Sequence, residues 1–417
     1  MAWRRRAACF TQVHTATMSL MVIKPMIRNN LCMNAHPVGA ARWVDDQIEY
    51  ARAQTSIDGP KRVLVIGGSG GYGLSSRLIA GFAGGAGSIN VAFEREPSAK
   101  RTGTVGWYTS MHLDRRLREA GLVAETIMGD AFSYEIKQQA IESIRRHFGT
   151  VDLVVYSLAS GVRTDPDTGV TYRSALKPIG REYSERSLDP IQGELSQVTI
   201  SPATDEEIEG TVKVMGGEDW ALWMKELAEA GVLAEGVQTV AYSYIGPEIT
   251  YPVYRHGTIG RAKDHLEETA SRITTDLAAV SGSAYVSVNK AVVTRASAVI
   301  PVVSLYLAVL FRVMKDKGLH EDCTKQMYRL FADRLYARAG EKARGDVPLD
   351  EEGRIRVDDW EFRPDVQEEV SRIWDEVRQD NLETITDLAG YRHEFLAIHG
   401  FDIPGVDYDA DVSPDAY

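Results

Sequence analysis

Short, continuous apolar runs alternate with longer amphipathic stretches through the first 160 or so residues of the chain. The run at 63–66 places four branched apolar residues in a row, the pattern of a strand buried on both faces, and 88–93, 124–128 and 151–157 read as further strands. Between them, 75–82, 115–120 and 134–147 carry helical periodicity. Ahead of the first run, residues 22–34 read as a short strand pair and 43–54 as an amphipathic helix. Asp58-Gly59-Pro60 supplies the turn into the first run. Alternation this regular calls for an α/β fold, a doubly wound parallel sheet of the Rossmann type. In such sheets the ligand lies beyond the C-terminal strand ends, where the strand order switches.

The pattern breaks over 162–235, a polar, turn-rich stretch with prolines at 166, 178, 190 and 202, in which a helix is expected from Trp220 to Leu227. An insertion at that edge of the sheet is expected to cover substrate. A fifth strand then resumes over 239–244. These shifts suggest a division into a non-structural extension (1–20), a first core segment (21–161), the covering insertion (162–235), the rest of the core (236–345) and an acidic C-terminal extension packed upon it (346–417). The extension offers no chemistry recognisable from its residues. No acid precedes Asp45, and Arg4, Arg5 and Arg6 sit among small and hydroxyl residues. That resembles an organellar transit peptide; a start codon placed too early, with translation beginning at Met18 or Met21, is the favoured reading.

Composition narrows the class. A net charge of −12 argues against a general nucleic-acid partner. Three cysteines without CxxC spacing fit a reducing, cytoplasmic compartment. His320-Glu321-Asp322-Cys323 reads as a solvated helix end rather than a metal site. The most apolar uncharged run, 296–311, contains Pro301 and falls short of the ~20 residues a bilayer requires. It is expected to be a buried helix with Pro301 at its start or at a kink.

Candidate chemistry begins directly after the first strand. Gly68, Gly70 and Gly73 satisfy G-x-G-x-x-G, while Gly67, Gly71 and Gly73 satisfy G-x-x-x-G-x-G. Either way, glycines between a strand and a helix let backbone amides approach a pyrophosphate. Glu94 follows the second strand, 21 residues after Gly73, where such folds place the acid that binds ribose hydroxyls. A carboxylate there repels a 2′-phosphate and favours NADH over NADPH; the alternative is a solvated loop acid. Asp130 follows the third strand and either meets the adenine or caps the next helix.

Tyr254 and Lys263 stand nine positions apart, half a turn out of phase on one continuous helix. If both face a cofactor, Tyr254 must precede the regular helix, with Gly257-Thr258 as the break and Thr258 as the N-cap. The bland alternative is a core tyrosine and a surface lysine.

Residues 21–417 resemble the FabV type of enoyl-[acyl-carrier-protein] reductase, also described as trans-2-enoyl-CoA reductase, within the short-chain dehydrogenase/reductase superfamily. The matching segments include Met21-Val22-Ile23-Lys24-Pro25, the stretch 59–74, Gly106-Trp107-Tyr108, Gly129-Asp130-Ala131-Phe132, Ser174-Ala175-Leu176-Lys177-Pro178, the stretch 214–220, Tyr254-x8-Lys263, Lys290-Ala291-Val292-Val293-Thr294 and Gly405-Val406-Asp407-Tyr408. The resemblance implies an NADH/NAD site lined by Gly67, Gly68, Ser69, Gly70, Gly71, Tyr72, Phe93, Glu94, Asp130, Ala131, Leu158 and Ala159. Lys263, Val292, Val293 and Thr294 would complete it. It implies Tyr254 as proton donor, Tyr244 in contact with the substrate thioester, and a monomer. Lys263 is expected to lower the Tyr254 pKa, and residues 298–311 with Ile245 and Ile249 to wall an acyl slot. The expected reaction is NADH-dependent reduction of the trans-2 double bond of an enoyl thioester on acyl carrier protein or coenzyme A, the closing step of fatty acid elongation. Two alternatives stay open: a 3-ketoacyl or other carbonyl reductase, and an NADH-sensing regulator without turnover.

Overall fold

The computed structural model describes residues 20–28, 31–300, 302–342 and 345–416. The basic stretch at 4–6 and Pro301 lie outside the described residues. Seven parallel strands form the central sheet: β1 (Arg62–Ile66), β2 (Gly87–Ala92), β3 (Ala124–Met128), β4 (Val151–Tyr156), β5 (Leu233–Ser243), β6 (Ser283–Val288) and β7 (Ile355–Arg356). Their spatial order is β7-β6-β5-β4-β1-β2-β3, so the winding reverses between β1 and β4. The expected doubly wound sheet is present.

The period-2 geometry of a strand divides β1 between two cores. Leu64 and Ile66 join a cluster with the helices Tyr134–His147, Glu218–Glu229 and Thr258–Asp276. Val63 and Val65 join a second cluster with the helices Gly71–Phe82 and Val105–Glu119 on the opposite face. Both faces are covered, which is why the strands read as unbroken apolar runs.

Several elements are longer than their apolar pattern indicates. The first helix spans Pro37–Ala53, because His36 Nδ1 accepts from the Gly39 amide (3.0 Å) and Pro37 fits the first turn. The helix Val105–Glu119 starts ten residues before the expected 115–120, since its buried face carries Thr109, Ser110, His112 and Asp114. Asp114 meets Arg77 in a buried ion pair, a polar solution that hides from hydrophobic periodicity. Strand β5 reaches back to Leu233 across an irregularity before Gln238.

The 162–235 stretch folds as two antiparallel hairpins, Val162–Thr164 with Thr171–Arg173 and Tyr183–Asp189 with Glu194–Ile200. Two helices follow, Asp205–Met215 and Glu218–Glu229. Leu188 of the second hairpin enters a third core, shared with the helix Val303–Asp316 and the C-terminal helices Pro364–Glu376 and Leu388–Ala397. The apolar run at 296–311 therefore supplies one 3-10 turn, Ser297–Val299, before its helix begins at Val303. Among the described residues no helix is long and apolar enough to cross a membrane. The His320–Cys323 segment is not solvated as expected. Glu321 is buried and pairs with Arg329 (2.8 Å), while Asp322 caps the helix Cys323–Leu330.

Candidate active site

Six of the predicted segments come together because each follows the C-terminal end of a sheet strand. Gly67–Tyr72 follow β1, Phe93 and Glu94 follow β2, and Asp130 and Ala131 follow β3. Leu158 and Ala159 follow β4, Tyr244 follows β5, and Val292–Thr294 follow β6. A parallel sheet aligns these ends along one edge, so residues up to 227 positions apart in the chain share that edge.

Gly67 and Gly71 have φ of +92° and +52°, conformations that disfavour a side chain. A Cβ on Gly67 would strike the Ser157 carbonyl, and one on Gly73 the Gly67 carbonyl. The Gly67/Gly71/Gly73 pattern therefore describes the backbone. No side chain caps the helix Gly71–Phe82, whose N-cap is Gly70. Its first amides and its dipole are left for an anion, and these residues fit the pyrophosphate of a dinucleotide.

Glu94 is enclosed rather than solvated. Its carboxylate accepts from Ser69 Oγ (2.7 Å) and from Arg295 Nη2 (2.7 Å), with its side chain 5% exposed. Burial works to raise its pKa, but Arg295, with the Thr104 and Ser69 hydroxyls, holds the carboxyl below its usual range. Phe93 beside it is 81% exposed. Asp130 does not cap the next helix: Ser133 does, accepting from the Ile136 amide, while Asp130 accepts from Phe132 N (3.0 Å). Val292 and Val293 are buried, and Ser297 fastens their loop by donating to the Val292 carbonyl (2.8 Å).

Tyr254 precedes the helix Thr258–Asp276, as its spacing from Lys263 requires. The N-cap is Gly257, not Thr258, because the Thr258 hydroxyl instead donates to the Ala175 carbonyl and ties the insertion to the helix start. The turn is closed by the Gly257 and Gly260 amides, which both donate to the Tyr254 carbonyl at 3.1 and 3.0 Å. Tyr254 is buried, and its ring meets that of Tyr244 edge to face at 5.0 Å. Lys263 Nζ donates to the Tyr242 carbonyl (3.0 Å), and burial brings the ammonium down to about 8. The expected lowering of the Tyr254 pKa is not found: burial pushes that hydroxyl up, because the buried phenolate would lose its hydration.

The residues expected to wall an acyl slot differ in burial. Leu305, Tyr306 and Leu307 are completely enclosed core, whereas Tyr244, Ile249 and Ile300 are half-buried at its fringe. Two charged residues of the site escaped sequence reasoning. Arg295 follows a predicted loop, and Glu361 sits in the acidic segment Asp358-Asp359-Trp360-Glu361, yet accepts from Tyr244 Oη (3.1 Å). No local spacing marks either residue.

Three family models match the chain: "NAD(P)H binding domain of trans-2-enoyl-CoA reductase" over residues 22–99, "Trans-2-enoyl-CoA reductase catalytic region" over 101–336 and "Enoyl reductase FAD binding domain" over 349–412. The last segment does not fit a flavin. Its helix Pro364–Glu376 starts at Arg363 with no glycine loop, and turns Val366, Val370, Ile373 and Trp374 into the core. The chain is 52% identical over 398 residues to the trans-2-enoyl-CoA reductase [NADH] of Treponema denticola, covering 94% of this chain and 98% of that protein. It is 52% identical over 393 residues to the enoyl-[acyl-carrier-protein] reductase [NADH] of Flavobacterium johnsoniae, at 94% and 98% coverage. The crystal structure of the Treponema denticola enzyme in complex with NAD superposes with a TM-score of 0.89 at 53% identity, over 94% of this chain and 98% of that one. That of the Clostridium acetobutulicum trans-2-enoyl-CoA reductase in complex with NADH gives 0.91 at 42% identity, with the same coverage. The chain belongs to the trans-2-enoyl-CoA reductase family, which includes the NADH-dependent enoyl-[acyl-carrier-protein] reductases of this type.

Proposed function

We propose that this protein reduces the trans-2 double bond of enoyl thioesters, on coenzyme A or acyl carrier protein, with NADH as reductant. The carrying observation is that Tyr254 meets the ring of Tyr244, which follows β5 on the same edge of the sheet as the glycine loop and Glu94. NADH bound along those ends supplies the hydride that adds to Cβ of the thioester. As charge then builds on the thioester oxygen, Tyr254 gives its hydroxyl proton to that oxygen. The enol takes a proton from water at Cα and releases its own, leaving the saturated thioester and NAD. The phenolate, which burial disfavours, is reprotonated from solvent. A buried phenol that stays protonated suits a donor of this kind. On this reading Lys263, whose Nζ donates to the Tyr242 carbonyl, holds the nicotinamide ribose, and Glu94 the adenosine ribose.

On this reading residues 21–161 and 236–345 make the cofactor-binding and catalytic core, 162–235 covers the acyl chain and 346–417 packs on the core. The protein acts as a cytoplasmic monomer, and its net charge of −12 supports the lack of a nucleic-acid partner. NADH oxidation with crotonyl-CoA, set beside acetoacetyl-CoA and with NADPH in parallel, tests the reading. Turnover of the enoyl substrate with NADH is expected. Preference for the ketone indicates a carbonyl reductase, and NADH oxidation that neither thioester accelerates overturns catalysis altogether.

A further inference from the structure

The acidic extension contributes one side chain to the site described above. Glu361 is completely buried, and each of its carboxylate oxygens has a separate duty. Oε1 accepts from Tyr244 Oη (3.1 Å) and Tyr306 Oη (2.6 Å); Oε2 accepts from the Ala291 amide (2.7 Å). Gln367 braces the arrangement from outside, donating to the Glu361 carbonyl (2.8 Å) and to Tyr306 Oη (3.3 Å). Tyr244 is the tyrosine in ring contact with Tyr254, and Ala291 immediately precedes the Val292–Thr294 loop. One carboxylate thus spans the end of β5 and the end of β6, from a segment 117 residues beyond Tyr244.

We propose that Glu361 is a positioning residue for the reaction, holding the Tyr244 hydroxyl and the Ala291 amide so that the substrate-facing tyrosine and the nicotinamide loop keep one register. A phenol has a single proton. While that proton is directed at Glu361, Tyr244 has none to offer the thioester oxygen. Tyr244 is then a fixed wall, and donation to the thioester oxygen is left to Tyr254. Glutamine at 361 keeps the volume but cannot accept at both ends. Its NH2 must face either the Ala291 N–H or the two tyrosine hydroxyls, leaving a buried donor without an acceptor or turning both hydroxyls around.

The inference rests on the enoyl-reductase reading, and a double-mutant cycle separates the two. Steady-state kinetics with crotonyl-CoA and NADH are compared for the parent, Glu361→Gln, Tyr244→Phe and the double variant, with melting temperatures recorded for each. A parent without turnover refutes the reading of function itself. With an active parent, Glu361→Gln is expected to lower kcat/KM for crotonyl-CoA about tenfold or more, and by only about twofold in the Tyr244→Phe background. An equal loss in both backgrounds, or a loss below about twofold in the parent background, overturns the inference. If Glu361→Gln does not fold, Tyr306→Phe takes its place. Removing that second donor from Oε1 is expected to lower kcat/KM about threefold, dependent on Tyr244 in the same way, and additivity refutes it.

Discussion

Arg295 Nη2 lies 2.7 Å from Glu94 Oε1, so the acid expected at the adenosine ribose is already paired with a guanidinium from the loop after β6. Arg295 also contacts Ser69 Oγ at 3.4 Å, which places it over the glycine loop. The two residues oppose each other in cofactor choice, since Glu94 repels a 2′-phosphate and Arg295 is suited to bind one. Glu94→Ala is therefore expected to raise kcat/KM for NADPH relative to NADH by about tenfold or more, the effect of one unopposed charge-assisted contact. Initial rates with both cofactors measure that ratio. An unchanged ratio removes Glu94 from cofactor selection.

Tyr254→Phe removes the hydroxyl while keeping the buried ring and its edge contact with Tyr244. The loss of one donor aimed at developing charge predicts a fall in kcat of about 10²–10³-fold. The NADH dissociation constant, followed by cofactor fluorescence, should change by less than about twofold, because the residue binds no part of the dinucleotide in the proposed roles. Wild-type turnover in this variant would place the proton donor elsewhere.

The lysine gives the pH dependence. Lys263 titrates at about 8 rather than 10.5 because burial disfavours the ammonium. If the charged form holds the ribose, kcat/KM for NADH is flat below that value and falls as pH rises through it. Lys263→Arg should keep whatever activity it has without this alkaline limb, since guanidinium does not deprotonate in the range. The stability linkage has the opposite sign. Between about 8 and 10.5 the unfolded chain holds the extra proton, so this group favours folding increasingly as pH rises through that window. A high-pH loss of kcat/KM without loss of melting temperature separates the functional effect from unfolding.

The sheet was legible because its strands are buried on both faces and their apolar runs are local. Val63 to Ile66 needs no knowledge of the rest of the chain. The glycine loop was legible for a similar reason: positive φ and close backbone approach restrict residue type at single positions, as at Gly67. What stayed hidden depends on polar burial or distant pairing. Asp114 and Arg77 bury charges against each other, and Thr109, Ser110 and His112 share that buried face, so polar residues interrupt the apolar stripe of the helix Val105–Glu119. Thr258 is of a residue type that caps helices, yet its hydroxyl donates to the carbonyl of Ala175, 83 residues away. Glu361 meets Tyr244 across 117 residues, and nothing in an acidic segment distinguishes the one acid that turns inward.

A buried pair beneath the loop after β3 gives the last prediction. Lys137 Nζ contacts Asp219 Oδ1 at 2.8 Å and the Ala131 and Phe132 carbonyls at 2.9 and 3.0 Å; Tyr156 Oη donates to Asp219 Oδ2 at 3.1 Å. The side chains are 0% and 2% exposed, so burial opposes both charges, and these contacts offset that cost. Lys137 belongs to the core helix Tyr134–His147 and Asp219 to the inserted helix Glu218–Glu229, so the pair also joins the insertion to the loop at Asp130 and Ala131. Asp219→Ala leaves an ammonium buried without its counter-charge and is expected to cost about 3–5 kcal/mol. The double change Lys137→Met with Asp219→Leu should recover most of that loss, because apolar residues of similar size avoid desolvating either charge. KM for NADH should nevertheless be raised in the double variant, since the Phe132 carbonyl loses the lysine and the Ala131 carbonyl keeps only Trp223 Nε1 of its two side-chain donors. Urea unfolding and NADH titration of the two variants test the separation. If Asp219→Ala stays within about 1 kcal/mol of the parent, the pair is not a net determinant of stability and the coupling of insertion to loop must lie in other contacts.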